Sequence, residues 1–161
     1  MNRTQSGFTI LELMMTMAIL VLIISMAMPS MTGFAQSNRL SAEIRGIVGA
    51  AALARSEAIS RRTLVAVLPR ISSTPVVATD WNSGWLVTEV DSANTPVGNV
   101  LRESSAYPSG YTMTFSGAST ALRFNPRGIL NLLATEQITL ADGNGNSRIV
   151  HMPLSGSAYI R

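Results

Sequence analysis

The chain has no cysteine, no lysine and a single histidine. Without cysteine no disulfide can brace the fold, and the Cys/His sets that hold structural zinc are excluded. Packing alone must stabilise it. The one histidine, His151, sits in a strand-like stretch between Val150 and Met152, and no nucleophile, base and orienting acid are marked out around it, so a hydrolytic triad has no support. His151 reads as an ordinary strand residue. There is no glycine-rich dinucleotide or phosphate loop, no internal repeat and no low-complexity tract. No catalytic residue, metal or cofactor is expected.

What remains is a chain of 161 residues, the natural size for one domain plus a membrane helix. Its basic residues are all arginine; from Gln36 onward eleven arginines face eight acids, a net charge of +3. That mild bias permits an anionic partner without demanding one.

The start is the most informative stretch. From Leu13 to Met28 nothing is charged, and only Thr16 and Ser25 interrupt the apolar side chains. At about 1.5 Å per residue, Phe8–Met28 can cross a hydrocarbon core of ~30 Å. One acid, Glu12, stands near its beginning. A carboxylate costs roughly 2.5–3.5 kcal/mol there on insertion scales, so it needs a partner. Ahead lies a polar leader, Met1–Gly7, with one positive charge at Arg3. An ordinary secretory signal places its apolar segment before the cleavage site; here the order is inverted, and a cut at Gly7 would leave the apolar segment on the mature chain.

Gly7-Phe8-Thr9-Ile10-Leu11-Glu12-Leu13 resembles the class III signal of type IV pilins and type II secretion pseudopilins. The resemblance implies cleavage after Gly7 by a prepilin peptidase and methylation of the new amine on Phe8. It places Glu12 at the family's glutamate, and Pro29 at the proline that commonly kinks the first helix. An amine beside a buried carboxylate stabilises it, so in a stack of N-terminal helices Phe8 of one subunit can meet Glu12 of its neighbour.

Beyond Pro29 a second helical pattern runs from about Ala35 to Arg61. Leu40, Ile44, Ile47, Val48, Ala51, Ala54, Ala58 and Ile59 recur at intervals of three and four, an apolar stripe suited to lying on a sheet. The spacing predicts one long helix from Phe8 to about Arg61, broken or bent near Pro29. From Thr63 the period becomes two. Thr63–Leu68, Gly84–Val90, Asn99–Arg102, Tyr111–Phe115, Ala121–Phe124, Ile129–Leu133, Gln137–Leu140, Arg148–Met152 and Ala158–Ile160 read as short strands, and Pro69–Ser83 as an exposed loop.

A helix followed only by antiparallel strands is an α+β arrangement with the helix on a sheet face. It resembles the pilin fold, divided into a cleaved leader at 1–7, a transmembrane and assembly helix at 8–34, and a periplasmic domain at 35–161. Trp81-Asn82-Ser83-Gly84-Trp85-Leu86-Val87, Val100-Leu101-Arg102, Phe124-Asn125-Pro126-Arg127-Gly128, and Leu53–Ile59 followed by Arg61-Arg62 resemble the FimT/GspH family of minor pilins and pseudopilins.

Three features of the domain bear on chemistry. Asp142-Gly143-Asn144-Gly145-Asn146 copies the first half of a calcium loop, but Ser147 and Pro153 stand where a glycine and a glutamate are needed, so a hairpin turn is expected. Trp81 and Trp85, placed on one face of a strand-like segment, are expected to pack in the core. Some FimT-branch members bind DNA through basic residues, notably a C-terminal Gly-Arg-x-Arg. Here Gly156 matches, but Ser157 and Tyr159 replace the arginines and only Arg161 remains. Arg102, Arg127, Arg148 and Arg161 are the DNA-binding candidates, and phosphate binding follows the number of charges neutralised.

The resemblance implies a minor type IV pilin in the bacterial inner membrane, single-pass with its domain in the periplasm and Arg3 on the cytoplasmic side. It would assemble through its N-terminal helix with other minor and major pilins, to prime or cap a pilus used in twitching motility or DNA uptake. The alternatives are a GspH-like pseudopilin of type II secretion and a pilus-tip DNA receptor for natural transformation.

Overall fold

A computed structural model describes residues 7–70, 80–117, 120–131 and 135–160; of residues 26–32 only the backbone is described. The chain divides into two units, Met1–Asn38 and Arg39–Arg161. One helix, α1, runs through both as Ile10–Arg61. Of the break or bend expected near Pro29, the break is absent: the helix carries through it. Pro29 has no N–H to donate, so the Ser25 carbonyl four residues earlier lacks its intrahelical partner. One missing bond does not end a helix supported by good helix formers on both sides.

The first unit is α1 as far as Asn38. Its large apolar side chains are bare: Leu11 is 74% exposed, Met14 67% and Leu22 66%. Among the described residues no helix is long and apolar enough to cross a membrane. The apolar run Phe8–Met28 reaches positions whose side chains lie outside the description.

The second unit is built on the remainder of α1. Leu40, Ile44, Ile47, Ala50, Ala51, Ala54 and Ala58 are buried at intervals of three and four, the stripe the spacing predicts. They pack into one core with two antiparallel four-stranded sheets. The first sheet has the order β3-β2-β1-β5, with β1 Val65–Pro69, β2 Trp85–Val90, β3 Pro96–Glu103 and β5 Leu122–Phe124. The second has the order β4-β6-β7-β8, with β4 Thr112–Phe115, β6 Glu136–Ala141, β7 Ser147–Met152 and β8 Tyr159–Ile160.

The first sheet is buried on both faces around β1. Val65, Val67 and Val87 join the main core, while Ala66, Leu68, Leu86, Val90 and Ala121 form a second, smaller cluster. That is why Val65–Leu68 reads as an unbroken apolar run instead of alternating. Between β2 and β3 the register shifts on either side of Thr88. Its fully buried hydroxyl donates to the Gly98 carbonyl at 3.2 Å, serving a group that the irregular pairing leaves open.

Two expectations in the β1–β2 connection are corrected. Pro69 belongs to β1, paired with Trp85. Trp81–Ser83 is a 3-10 turn instead of loop or strand, capped by Asp80, whose carboxylate accepts from the Asn82 N–H at 2.9 Å. Trp81 and Trp85 do enter the core together, and Trp81 stacks on Phe115 with ring centroids 4.2 Å apart. The strand expected at Ile129–Leu133 is reduced to one bridge, Leu130 opposite Phe124; residues 132–134 lie outside the description.

Candidate functional site

The N-terminal segment carries the chemistry that the sequence singles out. Gly7 has open space around it, and Phe8 is 81% exposed. Thr9 caps α1: its Oγ1 accepts from the Glu12 N–H at 3.3 Å and its carbonyl from the Leu13 N–H at 3.2 Å. Thr9-Ile10-Leu11-Glu12 is a capping-box sequence, and a carboxylate in the first turn also favours the positive end of the helix dipole. Sequence reading gave Glu12 one task, pairing with a neighbour; the spacing S/T-x-x-E was the signal for a second, starting the helix. The bare apolar surface behind Glu12 has no cover within the described residues. An exposed apolar surface of this extent marks a site of contact with a membrane or another protein.

The arginines proposed for DNA stand on different elements, each with a local setting. Arg102, at the end of β3, lies over the Trp85 ring at 5.7 Å, a cation–π distance. Gly49 on α1 faces its guanidinium, and a Cβ there would make an ordinary contact with Arg102 Nη1 at 3.7 Å. Arg127 occupies the tight turn after β5, where its N–H donates to Asn125 Oδ1 at 2.9 Å. Arg148, in β7, donates to the Ser147 carbonyl at 3.1 Å. Arg161 lies outside the described residues.

The calcium-like stretch closes the β6–β7 hairpin, as expected. Asp142 accepts from the N–H groups of Asn144 at 3.0 Å and Asn146 at 2.9 Å, and its second oxygen takes the Asn146 side-chain amide. The Asn146 side chain, more than any other group, holds the carboxyl below its usual range. Its oxygens are thus occupied by the turn itself. Among the described residues no group of His, Cys, Asp or Glu is placed to hold a metal ion. His151 stacks on Tyr159 across β7 and β8, centroids 5.1 Å apart.

A family model described as type II transport protein GspH matches residues 43–157, nearly all of the second unit. A second, described as the prokaryotic N-terminal methylation motif, matches residues 2–28. No curated protein matches. Two crystal forms of the type IV minor pilin FimU from Pseudomonas aeruginosa share the fold. The P21 form has a TM-score of 0.65 and 18% identity, over 80% of this chain and 92% of that one. The P65 form has a TM-score of 0.61 and 19% identity, over 76% and 92%. At such identity the likeness concerns the fold alone.

Proposed function

This chain belongs to the GspH family of the type IV pilin and pseudopilin superfamily, and from that membership we propose that it is a minor pilin which joins a filament through its N-terminal helix to prime or cap a pilus. The superfamily is structural and non-enzymatic, so the chemistry is association. The observation that carries the reading is the bare apolar helix with one acid at its start. In this reading the peptidase cuts after Gly7, Phe8 is methylated, Phe8–Met28 waits in the inner membrane, and the second unit lies in the periplasm. On assembly lipid is exchanged for neighbouring helices, and Glu12 meets the Phe8 amine of the next subunit. Pro29, with its missing hydrogen bond, is the weak link that lets the helix adjust on packing.

Two variants test the reading. Replacing Gly7 by a bulkier residue should trap the uncut precursor. Glu12→Ala should be cut and inserted normally, yet reach the filament poorly; normal incorporation of that variant would overturn the pairing. The second reading, a pseudopilin of type II secretion, is favoured by the description of the matching family. Deleting the gene and scoring piliation and protein secretion side by side separates the two.

A further inference from the structure

The second unit has a groove of about 440 Å³ between the outer side of α1 and the segment that leads into β8. Its size is in the range of about 300–1,000 Å³ typical of binding clefts. Val48, Ala52 and Ile59 give it an apolar floor, and Gly156 and Ser157 form the far wall. Two left-handed glycines fix these walls. Gly128, at φ +74°, approaches so closely that a Cβ would stand 2.7 Å from Ile59 Cδ1; Gly156, at φ +76°, would put one 2.8 Å from Phe124 Cε1. The groove is therefore formed before anything enters it, which lowers the ordering cost of binding.

One charge points to the occupant. Arg55 lines the groove and donates from Nη1 to Ser157 Oγ at 3.2 Å. That bond orients the guanidinium without neutralising it, and no acid among the described residues lies within ion-pair distance of it. The unit's own acids are committed elsewhere. Glu57 and Glu89 hold Arg61, and Glu103 holds Arg70. Asp80, Asp91 and Asp142 cap turns, and Glu136 accepts from the Gly117 N–H. Only Glu43 is left, close enough to Tyr107 to help push that hydroxyl upward in pKa, after burial itself. Within this unit a second copy can therefore offer Arg55 only Glu43 without dismantling a turn or an ion pair.

We propose that this groove receives an apolar segment of a different pilin subunit that places one carboxylate against Arg55. The inference rests on the assembly reading above and adds the surface, the chemistry and the heterotypic character of the contact. The apolar floor supplies the burial, and the charge selects the partner.

The test puts a benzoylphenylalanine photo-crosslinker at exposed Ala52 in the full chain, in cells that assemble the filament. The expected result is an adduct with an identified, different pilin subunit. Its yield should fall roughly tenfold in Arg55→Glu, less in the neutral Arg55→Gln, and return when an acid of the cross-linked partner segment is changed to arginine. Chain level and protease resistance of both variants check the fold. An adduct of the chain with itself, an adduct indifferent to Arg55, or no adduct from Ala52 while the chain still enters filaments would each overturn the proposal alone. Failure of the unsubstituted chain to enter filaments would overturn the assembly reading and this inference with it.

Discussion

The Asn82 side-chain oxygen accepts the Met113 N–H at 2.8 Å, so the 3-10 turn that precedes the first sheet's β2 is tied to β4, an edge of the second sheet. The Asn82 carbonyl also takes the Tyr107 N–H at 3.0 Å. Met113 is almost fully buried, and its N–H would have no replacement partner if the amide were removed. Asn82→Ala should therefore cost about 1–3 kcal/mol, while Asn82→Asp, which keeps an acceptor, should cost less. Urea unfolding of the detergent-solubilised chain measures both.

Thr9 and Glu12 can be separated by assembly. Loss of the cap in Thr9→Ala should weaken the start of the helix by about 1 kcal/mol, roughly fivefold in incorporation at most, and Thr9→Ser should behave as the parent. Glu12→Gln keeps the shape but not the charge, and should lose far more. Glutamine still completes the capping box, so a loss in Glu12→Gln no larger than in Thr9→Ala would mean that the charge of Glu12 does not carry assembly. Quantitative immunoblots of sheared pili give the ratio.

Two glycines at positive φ differ in their surroundings. Gly145, at φ +85°, has open space around it, so Gly145→Ala pays only for the backbone, about 1 kcal/mol. Gly156→Ala adds a clash with Phe124 and a contact at 3.1 Å with the Gly128 carbonyl, and should cost roughly 1–3 kcal/mol more. Thermal melts of the pair show the difference.

Most of the β architecture was legible because its strands are short and bounded by turn residues. The α1 stripe from Leu40 to Ala58 could be read for a similar reason, since a single buried face imposes its period on the sequence. Several features escaped. The division into two sheets is invisible to a period of two, which marks a strand's faces but not its neighbours. Trp81 could not be placed in a 3-10 turn, because its aromatic ring and its distance from Trp85 suit a strand equally well. The Arg55 groove has no sequence signal, for Ser157 lies 102 residues from Arg55 and only the fold brings them together. At the candidate assembly site Glu12 was found by its cost in lipid, whereas Thr9, with no such cost, drew no attention.

Helix α1 ends with Arg62 in the left-handed region at φ 57°, a position where glycine carries no strain. Arg62→Ala keeps the strain and loses a charge that suits a helix C-terminus; Arg62→Gly loses the same charge and relieves the strain. The glycine variant should be the more stable of the two by roughly 1 kcal/mol, read as the higher Tm.

The Asp142 turn makes a pH prediction. Its folded pKa is depressed below the unfolded value of about 3.9. The stability it contributes is therefore fully present above that unfolded value and is lost as pH falls through the folded one. Asp142→Asn should flatten the acid limb of a stability–pH curve without altering the slope above about pH 6. An unchanged acid limb would show that the turn hydrogen bonds contribute nothing to acid sensitivity.

The double burial of β1 has a consequence for the chain while it is being made. Val65–Leu68 emerges well before its partner β5 at Leu122–Phe124, so a short, uncharged, β-prone run waits with an open edge, the kind of segment that seeds aggregation. Arg61 and Arg62 stand just before it and Arg70 just after. Charges that flank an unavoidable apolar strand in this way are the gatekeeper pattern that discourages pairing between nascent copies.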